Sequence, residues 1–485
     1  MKERNSNTAQ WLVLMVVLIS VLTTAIIVNN SAPSADPANS AVSAMDIDNG
    51  DLKINWDRYN TYEINLSETE NVSITNSGTY HLTGSSNTPV IVNAGDGVVK
   101  LILDNVAISN ETGPAIACYA ADDLVIELVG ENRLEDGSTY DDKYDEDING
   151  AIYSKADLTF LGDGKLTVVA NYQDGIVSKD DLVIRNGTYN ITAADDGIRG
   201  KDSVYVVGGD ISVTSKEDAI KSTNDTTPGK GFVLIENGNI AIAAGDDGIH
   251  AESVLTIQNG TIDITKSYEG LEAPKIVING GDVAVKANDD GINAGSSSDN
   301  TSTATTNNRM MMDSDANCEI IINDGNLYVN AAGDGIDSNG YIYFNGGTVI
   351  VDGPTNNGNG ALDAGIGITA NGGTVIAVGA SGMAESLGST SAVNNISVYF
   401  TSSQKAGTKI TIKNSADETV LSHTSAKAFN HLSAATEKFV TGETYTIYLN
   451  GTEYETFTVL ETTTTVGNTN SNTPGGGNMM RPDQR

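Results

Sequence analysis

Apolar residues recur along the chain in short alternating triplets. Leu182-Val183-Ile184, Val204-Tyr205-Val206 and Ile276-Val277-Ile278 each precede a glycine-bearing turn, and Ile211-Ser212-Val213, Ile262-Asp263-Ile264 and Val283-Ala284-Val285 each follow one. The turns are Asn-Gly or Gly-Gly pairs: Asn186-Gly187, Gly208-Gly209, Asn237-Gly238, Asn259-Gly260, Gly280-Gly281 and Gly346-Gly347. A period of two over so few residues, punctuated by Gly and Asn, predicts short strands joined by tight turns rather than helices.

A second punctuation places these strands in a repeat. The phrase acid-acid-Gly-Ile, or a close variant, appears at Gln173-Asp174-Gly175-Ile176, Asp195-Asp196-Gly197-Ile198 and Glu217-Asp218-Ala219-Ile220. It continues at Asp246-Asp247-Gly248-Ile249, Tyr268-Glu269-Gly270-Leu271, Asp289-Asp290-Gly291-Ile292 and Gly333-Asp334-Gly335-Ile336. Successive Gly or Ala positions lie 22, 22, 29, 22, 21 and 44 residues apart, and the two long steps hold insertions near Asn224–Lys230 and Gly295–Asn317. Each unit of about 22 residues thus carries three short strands and three bends, too little to bury a core alone, so the units must stack. The expected fold is all-β: a parallel β-helix, each turn rising about 4.8 Å. Propeller blades are longer, and leucine-rich repeats carry a signature absent here.

Thr88–Pro114 and Gly340–Gly382 read as degenerate turns of the same stack. From Ser391 to Leu460 the period breaks, and Asn395–Phe400, Lys409–Lys413, Lys438–Val440, Tyr445–Leu449 and Thr456–Leu460 read as strands of a small β-rich cap. A cap is needed because the last turn otherwise exposes an edge and a core. The predicted organisation is β-helix over 51–385, cap over 386–462 and a low-complexity, disordered tail over 463–485. At the other end an apolar run, Trp11–Val28, follows Lys2 and Arg4. Residues 1–30 read as a signal peptide or an N-terminal membrane anchor, with a linker over 31–50, and both forms place the body outside the cell. Cys118 and Cys318 fall many turns apart, which predicts two unpaired core thiols rather than a disulfide.

Charge narrows the partners. Among 485 residues, 63 Asp and Glu stand against 27 Lys and Arg, a formal net charge of -36. Nucleic acid requires a basic footprint and is excluded as the main partner.

Stacking turns the repeat into columns. One column reads Asp174, Asp196, Asp218, Asp247, Glu269, Asp290, Asp334, and the position before it adds Asp195, Glu217, Asp246 and Asp289. Like charges about 5 Å apart repel by roughly 1 kcal/mol even in water. Hard divalent ions relieve that, and Ca²⁺ takes six to eight oxygens from such groups. Asp195, Asp196, Glu217, Asp218, Asp246, Asp247, Asp289, Asp290, Asp334 and Asp337 are therefore candidate Ca²⁺ ligands. The competing reading is that Asp-Gly is good turn chemistry and each Asp caps its own bend. Which acid of each pair faces outward is left open by the sequence.

Lys155, Lys179 and Lys201 recur four residues after the corner in three successive turns, while Arg199 and Lys221 lie two after it. Lys155, Lys179, Lys201 and Lys221 are candidate contacts to an anionic polymer; the alternative is neutralisation of the neighbouring acids. The acidic stretch Glu135–Asp147 reads either as a cation-ordered loop or as a solvated charge run. Catalytic templates are thin: the four His residues show no zinc spacing, and no nucleophile elbow or phosphate loop is present. The one credible reaction is metal-assisted β-elimination from a uronate, with Lys201 or Lys221 as base.

Asp195-Asp196-Gly197-Ile198-Arg199-Gly200-Lys201-Asp202, Asp218-Ala219-Ile220-Lys221-Ser222-Thr223-Asn224-Asp225 and Asp246-Asp247-Gly248-Ile249-His250-Ala251-Glu252 resemble a family of secreted bacterial carbohydrate-binding β-helix proteins, typified by a clostridial cellulose- and pectin-binding protein. So do Gly150-Ala151-Ile152-Tyr153-Ser154-Lys155 and Asp174-Gly175-Ile176-Val177-Ser178-Lys179. The resemblance spans roughly Ile54 to Leu460 and implies a right-handed β-helix, bound calcium and affinity for plant polysaccharide including acidic sugars. Asp289-Asp290-Gly291-Ile292-Asn293 and Asp334-Gly335-Ile336-Asp337 are similar to the calcium turn of ten-turn pectate lyases, although Asn293 and Gly333 depart from it. The expected function is an extracellular, calcium-loaded, monomeric binder of cellulose- or pectin-type polysaccharide that does not cleave it. The alternatives are a calcium-dependent polysaccharide lyase and a structural cell-surface rod.

Overall fold

The computed structural model describes residues 54–295 and 314–467. The expected export segment at 1–30, the linker at 31–50, most of the insertion after Gly295 and the tail beyond Gly467 lie outside the described residues. Among the described residues no helix is long and apolar enough to cross a membrane.

The described chain is all-β and β-helix-like, with one 12-stranded and one 26-stranded sheet built almost wholly of parallel pairs, and a separate 4-stranded sheet. Each repeat contributes to three ladders. Asp174–Ser178 pairs in parallel with Ile198–Gly200, which pairs with Ile220–Ser222 and then Ile249–Ala251, forming the first ladder. Asp181–Ile184, Ser203–Val206, Phe232–Ile235 and Val254–Ile257 stack in the second. Thr188–Ala193, Asp210–Thr214, Asn239–Ala243 and Thr261–Ser267 stack in the third. The degenerate turns join the same ladders, Val90–Asn93 against Ile116–Ala120 and Tyr341–Phe344 against Gly367–Ala370.

The alternation that predicted the strands also decides what they bury. Ile176, Ile198, Ile220, Ile249, Leu271, Ile292 and Ile336 occupy one inward register in consecutive coils, and each is fully buried. Replacing any of them by Ala would open a cavity between coils, at a cost of about 2–5 kcal/mol. The Asn-Gly and Gly-Gly turns stack as well. Gly209 and Gly260 have φ of 114° and 109°, and a Cβ there would meet the carbonyl oxygens of Gly187 and Gly238 at 3.0 and 2.8 Å. Glycine is required both by the left-handed backbone and by the close approach of the coil beneath. Beside this column the Asn279, Asn323, Asn345 and Asn371 amides donate in turn to Gln258 Oε1 and to Asn279, Asn323 and Asn345 Oδ1, at 2.7–2.9 Å.

The last coil does not end in the open. Thr374–Gly379 pairs antiparallel with Phe429–Thr436, which pairs with Asn395–Gln404, and the 4-stranded antiparallel sheet packs over them around a second core of Val398, Phe400, Phe439, Ile447 and Phe457. Two of these strands, Thr419–Thr424 and Phe429–Thr436, were not expected from the sequence, and Lys438–Val440 forms no strand. Thr463–Gly467, assigned to the tail by composition, pairs in parallel with Asn395–Tyr399. Cys118 and Cys318 are buried free thiols, and burial pushes the Cys118 thiol up to about 11.

Candidate metal and ligand site

The corner acids form a hydrogen-bonded ladder. In each pair the second acid turns inward: Asp174, Asp196, Asp218 and Asp247 are all at most 6% exposed. Asp174, Asp196 and Asp218 each then accept the backbone N–H of the counterpart one coil on. The amides of Asp196, Asp218 and Asp247 donate to Oδ1 of Asp174, Asp196 and Asp218 at 3.1, 3.1 and 2.8 Å. Asp334 repeats the bond on Asp290 at 2.6 Å, and the Gly360 amide donates to Asp334 Oδ1. Turn chemistry is therefore part of the answer, but each carboxylate serves the neighbouring coil rather than its own bend. The first acids of the pairs, Asp195, Asp246 and Asp289, are half-buried and Glu217 is exposed.

Three residues after each corner position, an acid in every coil but the last, where Gly360 stands, the first ladder turns a side chain to its outer face. In register these are Val177, Arg199, Lys221, His250, Glu272, Asn293, Asp337 and Asp363. The column changes sign partway along. Arg199 forms an ion pair with Asp174, Lys221 contacts Asp218 Oδ2 at 2.5 Å, and His250 Nδ1 lies 3.2 Å from Asp247 Oδ2 and 2.6 Å from Glu272 Oε2. Burial alone would lower both Lys221 and His250. The Asp218 and Asp196 carboxylates hold the Lys221 ammonium above its usual value instead, and hydrogen bonds to Asp247, Glu252 and Glu272 carry His250 to about 12.

Beyond His250 the outer column is acidic or neutral. Carboxylate oxygens of Asp290, Asp334 and Asp337 lie within 4.8 Å of one another. Among the described residues no ion pair reaches them. Burial, then the surrounding acids, push Asp334 up to about 7 and Asp337 to about 8; Asp290 rises to about 6, chiefly by burial. Asp337 Oδ1 is buried and accepts no hydrogen bond. Glu269, raised by burial to about 8, accepts the Asn293 amide at 3.0 Å. An all-oxygen cluster with an orphaned buried oxygen fits a hard divalent ion such as Ca²⁺, which brings charge and open coordination positions together.

The ten expected metal ligands thus fall into three groups. Asp290, Asp334 and Asp337 converge, with Asp289 at the adjoining outer corner. Asp195, Asp196, Asp218 and Asp247 also lie in acid clusters, but Arg199, Lys221 or His250 supplies the positive charge there. Glu217 and Asp246 join no such cluster among the described residues. Of the expected basic contacts, Lys155, Lys179 and Lys201 do stack: the Lys179 and Lys201 amides donate to the Ser154 and Ser178 carbonyls. Lys155 pairs with Asp145 at 3.2 Å, Lys179 lies 5.7 Å from the Tyr153 ring centre, and Lys201 is exposed. Lys221 belongs to the other column and is committed to Asp218, which corrects its grouping with the three lysines.

His250, Glu272, Asp363 and Glu385 were not singled out from sequence as site residues. Glu385, raised by burial to about 7, lies near Asp363. The signal for the first two was present as a fixed three-residue offset from each corner acid. The stretch Glu135–Asp147 is no acid cluster of this kind. Tyr140 donates to Asp136 at 2.8 Å and stacks on Tyr172 at 4.4 Å, while Tyr140 and Tyr144 pack against Ala117, Tyr153 and Val177 on the outer face of the first ladder.

Comparison with known proteins agrees with the resemblance read from the corner motifs. A relative from Acetivibrio thermocellus, described as a carbohydrate-binding domain-containing protein, is 36% identical over 147 residues, which is 29% of this chain and 50% of the relative. The chain therefore spans about half the length of that curated relative. A solved structure of a polysaccharide lyase-like protein from C. thermocellum, a gadolinium derivative, shares 31% identity over 46% of this chain and 92% of that one, with a TM-score of 0.40. Residues 68–308 match a family model directly, and over that span the chain resembles the carbohydrate-binding domain-containing proteins.

Proposed function

We propose that this chain is an extracellular, right-handed parallel β-helix that binds polysaccharide without cleaving it, and that Ca²⁺ held by Asp290, Asp334 and Asp337 bridges acidic sugars to the protein. The match of residues 68–308 to a model of carbohydrate-binding domain-containing proteins supports the class of ligand. The observation that carries the metal is the convergence of three acids around the unbonded Asp337 Oδ1. Bound there, a divalent ion would supply positive charge and free coordination positions for a uronate carboxylate. The protein's own part is to hold three oxygens on adjacent coils and to keep Asp290 and Asp334 aligned through the amides of the following coils.

A lyase would need a Lys or Arg able to take a proton beside the metal. Lys221 is held protonated by Asp218, and Lys201 stands at a different corner of the coil, which favours binding without cleavage. The test is retention on polygalacturonate with Ca²⁺ and with EDTA, alongside an assay for unsaturated products. Retention that ignores EDTA would remove the metal from the reading, and unsaturated products would replace the binder by a lyase. Changing Asp289, Asp290, Asp334 and Asp337 together to Asn should abolish the Ca²⁺-dependent part of retention.

A further inference from the structure

A groove of about 420 Å³ lies on the outer face of the third ladder, in a part of each coil separate from the first-ladder acids. Its floor runs along one register, Asp263, Ala284, Tyr328, Ile350, on successive coils. Its rim runs along the register two residues earlier, Thr261, Asp282, Asn326, Thr348. Ala284 makes the notch because it is small between two larger neighbours.

The Tyr328 wall is fixed from behind. Its hydroxyl donates to Asp352 Oδ2 at 2.9 Å, and Asp352 is fully buried. The cap holds that carboxylate from the far side, through His423 Nε2 at 2.8 Å, Ser425 Oγ at 3.1 Å and the Ala426 amide at 3.1 Å. The Asn326 amide donates to Asp282 Oδ1 at 2.7 Å and orients the rim. Ala284 and Ile350 on the floor beside the Tyr328 ring suit the C–H face of a sugar ring, and the carboxylate of Asp263 with the hydroxyl, amide and carboxylate groups of the rim suit its hydroxyls. Coils follow one another at about 4.8 Å, close to the length of one hexose in an extended chain.

We infer that this groove is a second carbohydrate site, independent of the metal, and that it takes an uncharged stretch of polysaccharide. Charge selects the occupant. Asp263 and Asp282 on the floor and rim accept hydroxyl donors but repel a uronate, and among the described residues lining the groove there is no Lys, Arg or His to offset them. Thr261 to Ala284, the first half of the lining, falls within the family span 68–308. The inference rests on the carbohydrate-binding reading but not on its calcium. The resulting molecule would hold acidic and neutral segments on different faces of the same coils.

The test is calorimetric titration of the full chain with cellohexaose, in Ca²⁺ and again in EDTA, with polygalacturonate retention measured in parallel. The parent should bind cellohexaose equally under both conditions. Ala284→Gln, which fills the notch, should weaken cellohexaose by about tenfold or more and leave Ca²⁺-dependent polygalacturonate retention intact. Asp263→Arg, at an exposed position, is the second variant should Ala284→Gln fail to fold, and it should weaken cellohexaose to a similar degree. Parent protein that ignores cellohexaose, or folded variants that bind it as the parent does, overturns the groove site. Loss of polygalacturonate binding in the parent with cellohexaose binding intact would sink the acid-cluster reading and leave the groove standing.

Discussion

The coils carrying Asp174 to His250 and those carrying Glu269 to Asp363 share one backbone, a corner acid in every coil but the last, where Gly360 stands, and one outer position three residues later. They differ in what stands at that position. In the first group Arg199, Lys221 and His250 neutralise the acids beside them. In the second the position holds Glu272, Asn293, Asp337 and Asp363, and negative charge accumulates. Glu272 marks the boundary: His250 still reaches it and holds its carboxyl well below the usual range, although burial opposes this. A stack of buried carboxylates can be balanced from within the chain or from solution. This protein uses side chains for one part; in the other Asp290, Asp334 and Asp337 have no ion-pair partner among the described residues, which is where the proposed ion would act.

The comparison breaks most sharply at Lys221. Lys221→Ala leaves the buried Asp218 carboxylate unpaired and should cost about 3–5 kcal/mol, read as a fall in denaturation midpoint that added Ca²⁺ does not repair. Lys221→Met combined with Asp218→Asn should recover most of that loss, because neither member of the pair is left behind without the other. An unchanged midpoint in Lys221→Ala would mean that Asp218 is not relying on its partner.

In the second group the equivalent perturbation is removal of the proposed ion. Calcium at about a hundred times its dissociation constant should stabilise the protein by about 2.7 kcal/mol, seen as a melting temperature that drops in EDTA and returns with Ca²⁺. A transition indifferent to both would erase the distinction between the two groups.

Smaller still is the effect of Asp337→Asn in EDTA. Removing one of three crowded acids should raise stability by about 1 kcal/mol while abolishing the calcium shift. A variant less stable than its parent in EDTA would show that Asp337 holds the coil by some other contact.

The last effect is graded with pH. Asp334 and Asp337 have folded pKa values of about 7 and 8, above the unfolded value near 4. The folded state then binds their protons more tightly than the unfolded state, so their contribution is full below about pH 4 and is lost as pH rises through 7 to 8. Protein in EDTA should melt at progressively lower temperature from pH 6 to pH 8.5, and Ca²⁺ should flatten the slope. A flat profile in EDTA would mean that these acids are already ionised at neutral pH in the folded state.

The coil was legible because two kinds of punctuation recur at one spacing, and hydrophobic alternation leaves little freedom in register. Convergence of Asp290, Asp334 and Asp337 was legible too, since equivalent corners must stack despite the 44 residues that separate the first two. The pairing of Lys221 with Asp218 stood only as the alternative, neutralisation of neighbouring acids, because a run of lysines also suggested a basic column. The decisive fact was instead an offset of three, which places side chains from a bend and the following strand against each other. His250 was passed over because zinc spacing was sought, whereas its partners are carboxylates on its own coil and the next. In the cap, the repeat no longer supplied register, so the strands at Thr419–Thr424 and Phe429–Thr436, whose antiparallel partners are distant in sequence, had no local signature.

The carboxylate-to-amide ladder bears on how such a chain can change its length. The same bond spans 22 residues at Asp174–Asp196 and Asp196–Asp218, 29 at Asp218–Asp247 and 44 at Asp290–Asp334. What the ladder registers is the return of the chain to the corner, not the path taken in between. Loops can therefore lengthen within a coil, and whole coils can be duplicated, without leaving a buried acid or amide unmatched. Deleting part of a coil is different in kind: it strands an acceptor below and a donor above at once. Growth by insertion is open to this architecture, and shrinkage is open to it only one complete coil at a time.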